Sequence, residues 1–115
     1  MKTTLLAMML TFAVTSGAAL ADEPIVGLWK RPSTGTLIKF SSCGGGYCGI
    51  VQSGSHAGKS IGKMTGSGAN YSGSITDLDE NKTYKGKAVV NGNVMKLSGC
   101  VLGGLICKGE NWNRQ

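Results

Sequence analysis

Glycine makes up nineteen of the 115 residues, and all of them except Gly17 follow residue 21. This is roughly three times the usual share, and it constrains the fold more than any other feature. Each glycine inside a helix costs about 1 kcal/mol relative to alanine, so long helices are nearly excluded. What recurs instead is a short β-prone run followed by a Gly or Asn turn, at intervals of about ten residues. The spacing indicates an all-β sandwich or barrel.

Eight β-prone runs follow one another along the chain. They predict a single antiparallel β-domain of seven or eight strands, and the even turn spacing favours a small barrel over a sandwich. The candidate strands are residues 26–30, 37–42, 48–53, 60–64, 70–76, 83–90, 93–101 and 105–112.

The first 21 residues have the composition of a secretory signal peptide. Lys2 precedes an apolar run over residues 5–14, and the small residues Ala19 and Ala21 mark a cleavage point near Ala21. We therefore expect residues 22–115 to form the mature chain, a single β-domain that is periplasmic or secreted. No second apolar stretch approaches the roughly eighteen residues of a membrane span, so we expect the mature chain to be soluble.

Four cysteines in an exported chain are expected to form disulfides. If residues 45 and 46 form one two-residue turn and residues 103 and 104 another, the cysteines lie opposite each other in pairs. Opposed strand residues are about 4.5 to 5.5 Å apart at Cα, which is within disulfide range. The predicted bonds are Cys43–Cys48 and Cys100–Cys107.

The dipeptide Asn91-Gly92 predicts a third hairpin, with Lys87 opposite Lys96. Alternation gives this hairpin a core face and a basic outer face. The core face carries Tyr84, Ala88, Met95 and Leu97, and the outer face carries Lys85, Lys87 and Lys96. Like charges that face each other across two strands are mildly destabilising, so the lysines need an explanation. They form either a solvated face that blocks edge pairing or an anion-facing patch that contacts an acidic envelope component.

The last strand leaves two alternatives open. Strict alternation puts Lys108 and Glu110 on the same side as Trp112 and Leu97. Either Gly109 is a bulge that reverses the register, or the two charges enter the interior as a pair.

Sequence motifs that could indicate catalysis or cofactor binding have plainer explanations. Residues 44–49 fit a dinucleotide fingerprint and residues 53–60 resemble a phosphate loop, but neither joins a strand to a helix. His56, the single histidine, is expected on a solvated loop. The acidic cluster 77–81 is typical of a turn, although paired carboxylates can also bind calcium or hydrolyse glycosides. We therefore predict no catalytic, metal or cofactor residues and no enzymatic activity.

The two tryptophans lie at opposite ends of the β-domain, Trp29 in the first strand and Trp112 in the last. In a closed barrel these strands are neighbours, so Arg114 is expected to stack over Trp29 by a cation–π contact and to cover the barrel's end. Trp29, Trp112 and Arg114 are the predicted closure residues. The arrangement resembles the Gly-x-Trp and late Arg of lipocalin and calycin barrels.

Several blocks of the sequence together resemble a bacterial family, domain of unknown function 2147. They are Gly27-Leu28-Trp29, the run from Cys43 to Val51, the run from Asp77 to Tyr84, the run from Gly99 to Lys108, and Trp112-Asn113-Arg114. The two cysteine blocks and the terminal W-x-R are the specific part of this similarity. The resemblance implies a small exported bacterial β-protein, and it implies no known activity.

For function, the sequence favours a non-enzymatic binding module, because barrels offer a cavity or an open end. The alternative is a structural or interaction protein of the cell envelope whose barrel is filled by Trp29, Phe40, Met95 and Leu97. Without Lys2 the chain has eleven Lys and Arg against six Asp and Glu, a net charge near +5. The expected partners are a small ligand or an acidic envelope component. We expect a monomer without a cofactor, and the exported location and the lack of interleaved aromatics disfavour nucleic acid.

Overall fold

The computed structural model describes residues 23–115, which form a closed barrel of eight antiparallel strands. The strands are β1 (Gly27–Arg31), β2 (Thr36–Cys43), β3 (Gly46–Val51), β4 (Ser60–Ser67), β5 (Asn70–Asp77), β6 (Lys82–Asn91), β7 (Val94–Val101) and β8 (Ile106–Arg114). A short 3₁₀ turn, Leu102–Gly104, joins the last two. All eight predicted strands are present, and their ends differ from the predicted ones by a few residues. Across residues 23–115 we find no helix with the length and apolarity of a transmembrane span.

Each strand pairs with the next one along the chain, and β8 returns to pair with β1. The closing register places Trp29 opposite Arg114 and Lys30 opposite Asn113. The predicted small antiparallel barrel is therefore confirmed. Because closure leaves no free sheet edge, every strand of the barrel is paired on both sides.

Both predicted disulfides are present. Cys43 and Cys48 have Cα atoms 5.8 Å apart, and Cys100 and Cys107 have Cα atoms 4.0 Å apart. Cys100 lies directly opposite Cys107 in the β7–β8 ladder, as its predicted register requires. Each bond staples one hairpin, so the two bonds stiffen opposite ends of the barrel.

The predicted register of the β2–β3 hairpin is wrong, although its disulfide is right. Cys48 lies opposite Ser41, and Cys43 lies opposite Gly46, so the cysteines are diagonal neighbours. The turn is formed by Gly44 and Gly45, whose φ angles are +46° and +84°. Two consecutive positive φ angles are what a tight hairpin turn requires. Among three consecutive glycines, the first two make the turn and the third starts β3.

The predicted register of the β6–β7 hairpin is also off by two residues. Lys87 lies opposite Ser98 and Lys96 lies opposite Val89, so the two lysines do not oppose each other. The turn is centred on Gly92 and Asn93, with Gly92 at φ +63°. A shift of two residues keeps every side chain on its face. The predicted faces therefore remain, with Ala88, Met95 and Leu97 buried and the three lysines exposed.

One end of the barrel is closed by the segment that precedes β1; we call it the closed end. Ile25 is fully buried there and accepts a 2.9 Å hydrogen bond from Trp29 Nε1 through its carbonyl. The Arg114 guanidinium lies 4.3 Å from the Trp29 ring centroid and donates to the carbonyls of Val26 and Pro24 at 3.1 and 2.7 Å. The expected contact between Arg114 and Trp29 is thus present.

The core fills the half of the barrel next to the closed end. Its fully buried large side chains are Trp29, Phe40, Ile25, Ile38, Met64 and Met95. Tyr71 borders this core, and its hydroxyl donates to Glu23 Oε1 at 3.2 Å. Burial raises the pKa of Tyr71 to about 12, so the phenol stays protonated and keeps its role as donor. The opposite end, bordered by the loops 32–35, 52–59, 78–81 and 102–105, is the open end.

Candidate functional site

The open end of the barrel contains a cleft of about 620 Å³. Its floor is apolar and includes the buried side chains of Ile38, Val51, Leu97 and Trp112. Its walls and rim carry the charged residues Arg31, His56, Asp77, Asp79, Glu80, Lys108 and Glu110. The core therefore fills only part of the barrel, and the rest is a polar-rimmed cleft with an apolar floor.

The charges of the last strand lie on the inner side of the barrel wall. The β7–β8 register runs without a shift from Val94 opposite Asn113 to Val101 opposite Ile106, which excludes a bulge at Gly109. Lys108 and Glu110 therefore share the inward side with Trp112, which was one of the two alternatives. Glu110 does not form an ion pair with Lys108, however. Glu110 pairs with Arg31 of β1, and Lys108 is exposed along the cleft wall.

Arg31 and Glu110 form a bidentate ion pair across the β1–β8 closure. Arg31 Nε lies 2.5 Å from Glu110 Oε1, and Nη2 lies 3.1 Å from Oε2. Trp112 Nε1 donates to the same Oε1 at 2.8 Å. The hydrogen bond from Arg31 lowers the pKa of Glu110, and the same bond raises the pKa of Arg31. Both groups stay charged, and each is about a third exposed to the cleft.

The lowered pKa of Glu110 makes the stability of the barrel dependent on pH. The ionised Glu110 carboxylate stabilises the folded protein fully above pH 4.5, the usual pKa of the group. This stabilisation is lost as the pH falls through the lower pKa that Glu110 has in the folded protein. We expect Glu110→Gln to lower the free energy of unfolding by about 1 kcal/mol near pH 7. This is the upper end of the range for solvent-exposed ion pairs, and bidentate geometry places the Arg31–Glu110 pair there. The difference from the wild type should shrink as the pH falls below 4.5, as urea titrations at pH 7 and at a series of lower pH values would show. Glu80→Gln is the control, because it removes a rim carboxylate that belongs to no ion pair found within residues 23–115. Its free energy of unfolding should equal that of the wild type at each pH.

His56 lies on the loop 52–59, as the sequence predicts, but its side chain is only partly solvated. Its side chain is 31 % exposed, and Nε2 lies 3.0 Å from Asp79 Oδ1 across the mouth of the cleft. The other ring nitrogen, Nδ1, is buried without a hydrogen-bond partner in the described chain. The contact ties the loop 52–59 to the β5–β6 turn.

The acidic cluster forms a turn, as predicted. Asp77 Oδ1 accepts hydrogen bonds from the backbone amides of Asp79 and Glu80 at 2.9 and 3.1 Å. Asn81 takes the left-handed conformation at φ +56°, which asparagine tolerates. Within residues 23–115 we find no group of three or more His, Cys, Asp or Glu side chains placed to hold a metal ion. Asp77 and Asp79 are thus already engaged, the first with turn amides and the second with His56.

The residues singled out from the sequence lie in three separate places. Trp29 and Arg114 lie at the closed end, Trp112 lies in the cleft floor, and the three outer lysines lie on the outer wall. Sequence analysis missed the ion pair, although a signal for it exists. Arg31 and Glu110 are each two residues from a buried tryptophan, so alternation along β1 and β8 turns both inward.

A closed, sequentially paired barrel with one covered end and one open end defines the chain as a small up-and-down β-barrel. A family model described as "Uncharacterized protein conserved in bacteria (DUF2147)" matches residues 57–114. The chain belongs to this family, and the matched residues include the second cysteine block and the terminal W-x-R. No match was found among curated proteins or among solved structures.

Proposed function

We propose that the protein is an exported, non-enzymatic binding module that holds a small amphipathic molecule in the cleft of its open end. The observation that carries this proposal is the cleft itself. Its volume of about 620 Å³ falls within the range of small-molecule sites, and it combines an apolar floor with a few polar groups at the rim. The ligand's apolar part would cover Ile38, Leu97 and Trp112, and its polar part would stay at the mouth.

The charge of the ligand's polar part follows from which rim groups are already engaged. Arg31 and Glu110 satisfy each other, and Asp77 accepts from turn amides. Asp79 accepts from His56, and Glu80, which belongs to no ion pair found within residues 23–115, accepts from the Tyr84 hydroxyl. Lys108 lies on the cleft wall and takes part in no ion pair found within residues 23–115. An anionic head group is therefore the natural complement of this site.

Export and the lack of catalysis are parts of the same proposal. The composition of residues 1–21, which lie outside the described residues, supports a signal peptide. Two disulfides are compatible with an oxidising compartment such as the periplasm or the extracellular space. The protein would act there as a single chain.

A fluorescent anionic amphiphile, anilinonaphthalene sulfonate, tests whether the cleft binds ligands. Thr36 lines the cleft at the start of β2, and Thr36→Trp would fill part of that space. We expect this variant to bind the probe about tenfold more weakly, a change of about 1.4 kcal/mol. Thr83→Trp, at an exposed position outside the cleft lining, is the matched control and should bind like the wild type. Equal affinity of the two variants would contradict the proposed site.

Two ligands of equal chain length test the preference for an anionic head. Dodecanoate should displace the probe at lower concentration than dodecyltrimethylammonium, and Lys108→Gln should remove most of that difference. This variant alters an exposed side chain and should fold normally. If the two ligands displace the probe equally from the wild type, Lys108 has no part in selecting the ligand.

A further inference from the structure

The β7–β8 hairpin exposes a compact apolar surface at the open end, where its two strand-end residues Val101 and Ile106 also line the cleft. Its four apolar side chains, which we call the apolar tip, are Val101, Leu102, Leu105 and Ile106. Their exposed fractions are 42, 68, 85 and 56 %. Only two other large apolar side chains of the described chain are exposed, Val89 and Val94. A continuous exposed apolar patch of this kind marks an interaction surface.

The backbone of the apolar tip indicates that this exposure has a purpose. Leu102 takes the left-handed conformation at φ +53°, which glycine adopts freely and leucine adopts only at a cost. Gly103 and Gly104 beside it also have positive φ angles. A glycine would therefore suit position 102 better, and the leucine side chain gains little burial in return. Its benefit must come from contact with something outside the chain.

The disulfide holds the apolar tip in place before any contact is made. Cys100 and Cys107 are bonded directly behind the pair of Val101 and Ile106. The turn is closed further by the amide of Leu105, which donates to the carbonyl of Leu102 at 3.3 Å. A loop that is already ordered loses little conformational entropy when it docks.

Basic residues lie behind the apolar tip on both sides of the barrel wall. Lys85 lies opposite Cys100 on the outer side, and Lys108 follows two residues after Ile106 on the inner side. The sequence from Val94 to Lys108 contains no Asp or Glu. An apolar tip with cations just behind it matches the profile of an anionic bilayer, in which acyl chains lie beneath negative head groups.

We infer that the apolar tip inserts into the surface of an anionic phospholipid membrane, with Lys85 and Lys108 at the level of the head groups. The acidic turn 77–81 lies on the β5–β6 side of the same end, so anionic lipids would draw the β7–β8 side toward the membrane first. The open end would then face the bilayer. This inference goes beyond the proposed ligand binding and does not depend on it.

Sedimentation with vesicles tests the inference on the chain of residues 22–115. Vesicles of equal parts phosphatidylcholine and phosphatidylglycerol should bind the wild type at least about tenfold more strongly than they bind the double variant Leu102→Gly with Leu105→Gly. The matched control replaces Val89 and Val94 by serine, which removes the exposed apolar side chains outside the apolar tip and should leave binding unchanged. Equal binding by wild type and tip variant would overturn the inference.

A second set of variants tests the charges. Lys85→Gln should weaken vesicle binding severalfold, whereas Lys96→Gln, farther from the apolar tip on the same outer face, should have little effect. Vesicles of phosphatidylcholine alone should bind weakly. Equal losses from the two lysine variants would show general attraction of a basic protein rather than docking by the apolar tip, and would contradict the assignment.

Two further measurements separate membrane docking from other roles of the apolar tip. Leu102→Gly should raise the melting temperature because it removes the left-handed leucine, and a lower melting temperature would show a structural role instead. Analytical ultracentrifugation reports self-association. A dimer that the tip variant abolishes, without vesicle binding by the wild type, would assign the surface to a second copy of the chain and overturn the membrane inference.

Discussion

Replacing Trp29 by alanine is expected to cost about 3 to 5 kcal/mol of stability, a large share of the roughly 5 to 15 kcal/mol that keeps a typical domain folded. Trp29 is fully buried at the closed end, donates a hydrogen bond to the carbonyl of Ile25, and lies under the guanidinium of Arg114. The substitution therefore empties a large volume and removes two specific contacts. Urea titration followed by circular dichroism measures the change.

Trp29→Phe is the control for this substitution. Phenylalanine keeps much of the buried ring and can still lie beneath Arg114, but it cannot donate to Ile25. We expect a loss of about 1 to 2 kcal/mol, the usual cost of leaving a buried acceptor without its donor. If alanine proves no worse than phenylalanine, then Trp29 does not hold the closed end together.

Gly73→Ala is the second substitution with a large expected effect. Gly73 lies opposite Met64 in the β4–β5 ladder, and a Cβ atom there would come within 2.0 Å of the carbonyl oxygen of Lys63. The obstacle is backbone, so the two strands would have to separate. We expect a cost of about 3 kcal/mol, at the upper end for overpacking. Thermal unfolding of the disulfide-bonded protein measures it.

Gly99→Ala is the matched control, because Gly99 is also in a strand and its φ is not positive. A Cβ atom at this position would meet only the side chain of Tyr84, at 3.3 Å, and that side chain can move slightly. We expect a change of less than about 1 kcal/mol. Similar losses at positions 73 and 99 would show that the close approach of β4 and β5 does not depend on glycine.

The strands, the disulfide pairs and the Trp29–Arg114 contact were predictable because each depends on local pattern or on neighbouring strands. The two hairpin registers were not predictable. A shift by two residues leaves the faces of Lys87 and Lys96 unchanged, so alternation cannot detect it. In the run of three glycines that precedes Tyr47, composition alone does not show which two form the turn.

The cleft takes its inward-facing side chains from strand alternation, but alternation does not specify which of them pair. Its ion pair joins Arg31 to Glu110, 79 residues apart, and their contact depends on how the barrel closes. The His56–Asp79 contact similarly joins two loops that are not neighbours in sequence. The apolar tip was hidden for a different reason. Residues 101–106 have the sequence of a strand end and a turn, and only the three-dimensional structure shows that their four apolar side chains stay exposed.

The sequential strand order also has a consequence for how the barrel folds. Seven of its eight strand pairings join chain neighbours and can form early as hairpins, because closing a short loop costs little entropy. The pairing of β1 with β8 is different, since Arg114 must reach the carbonyl of Val26, 88 residues away. Until β8 has been synthesised, β1 keeps an unpaired edge and the closed end lacks its cap. A nascent chain therefore remains an open sheet, and the barrel closes only after its last strand has been made.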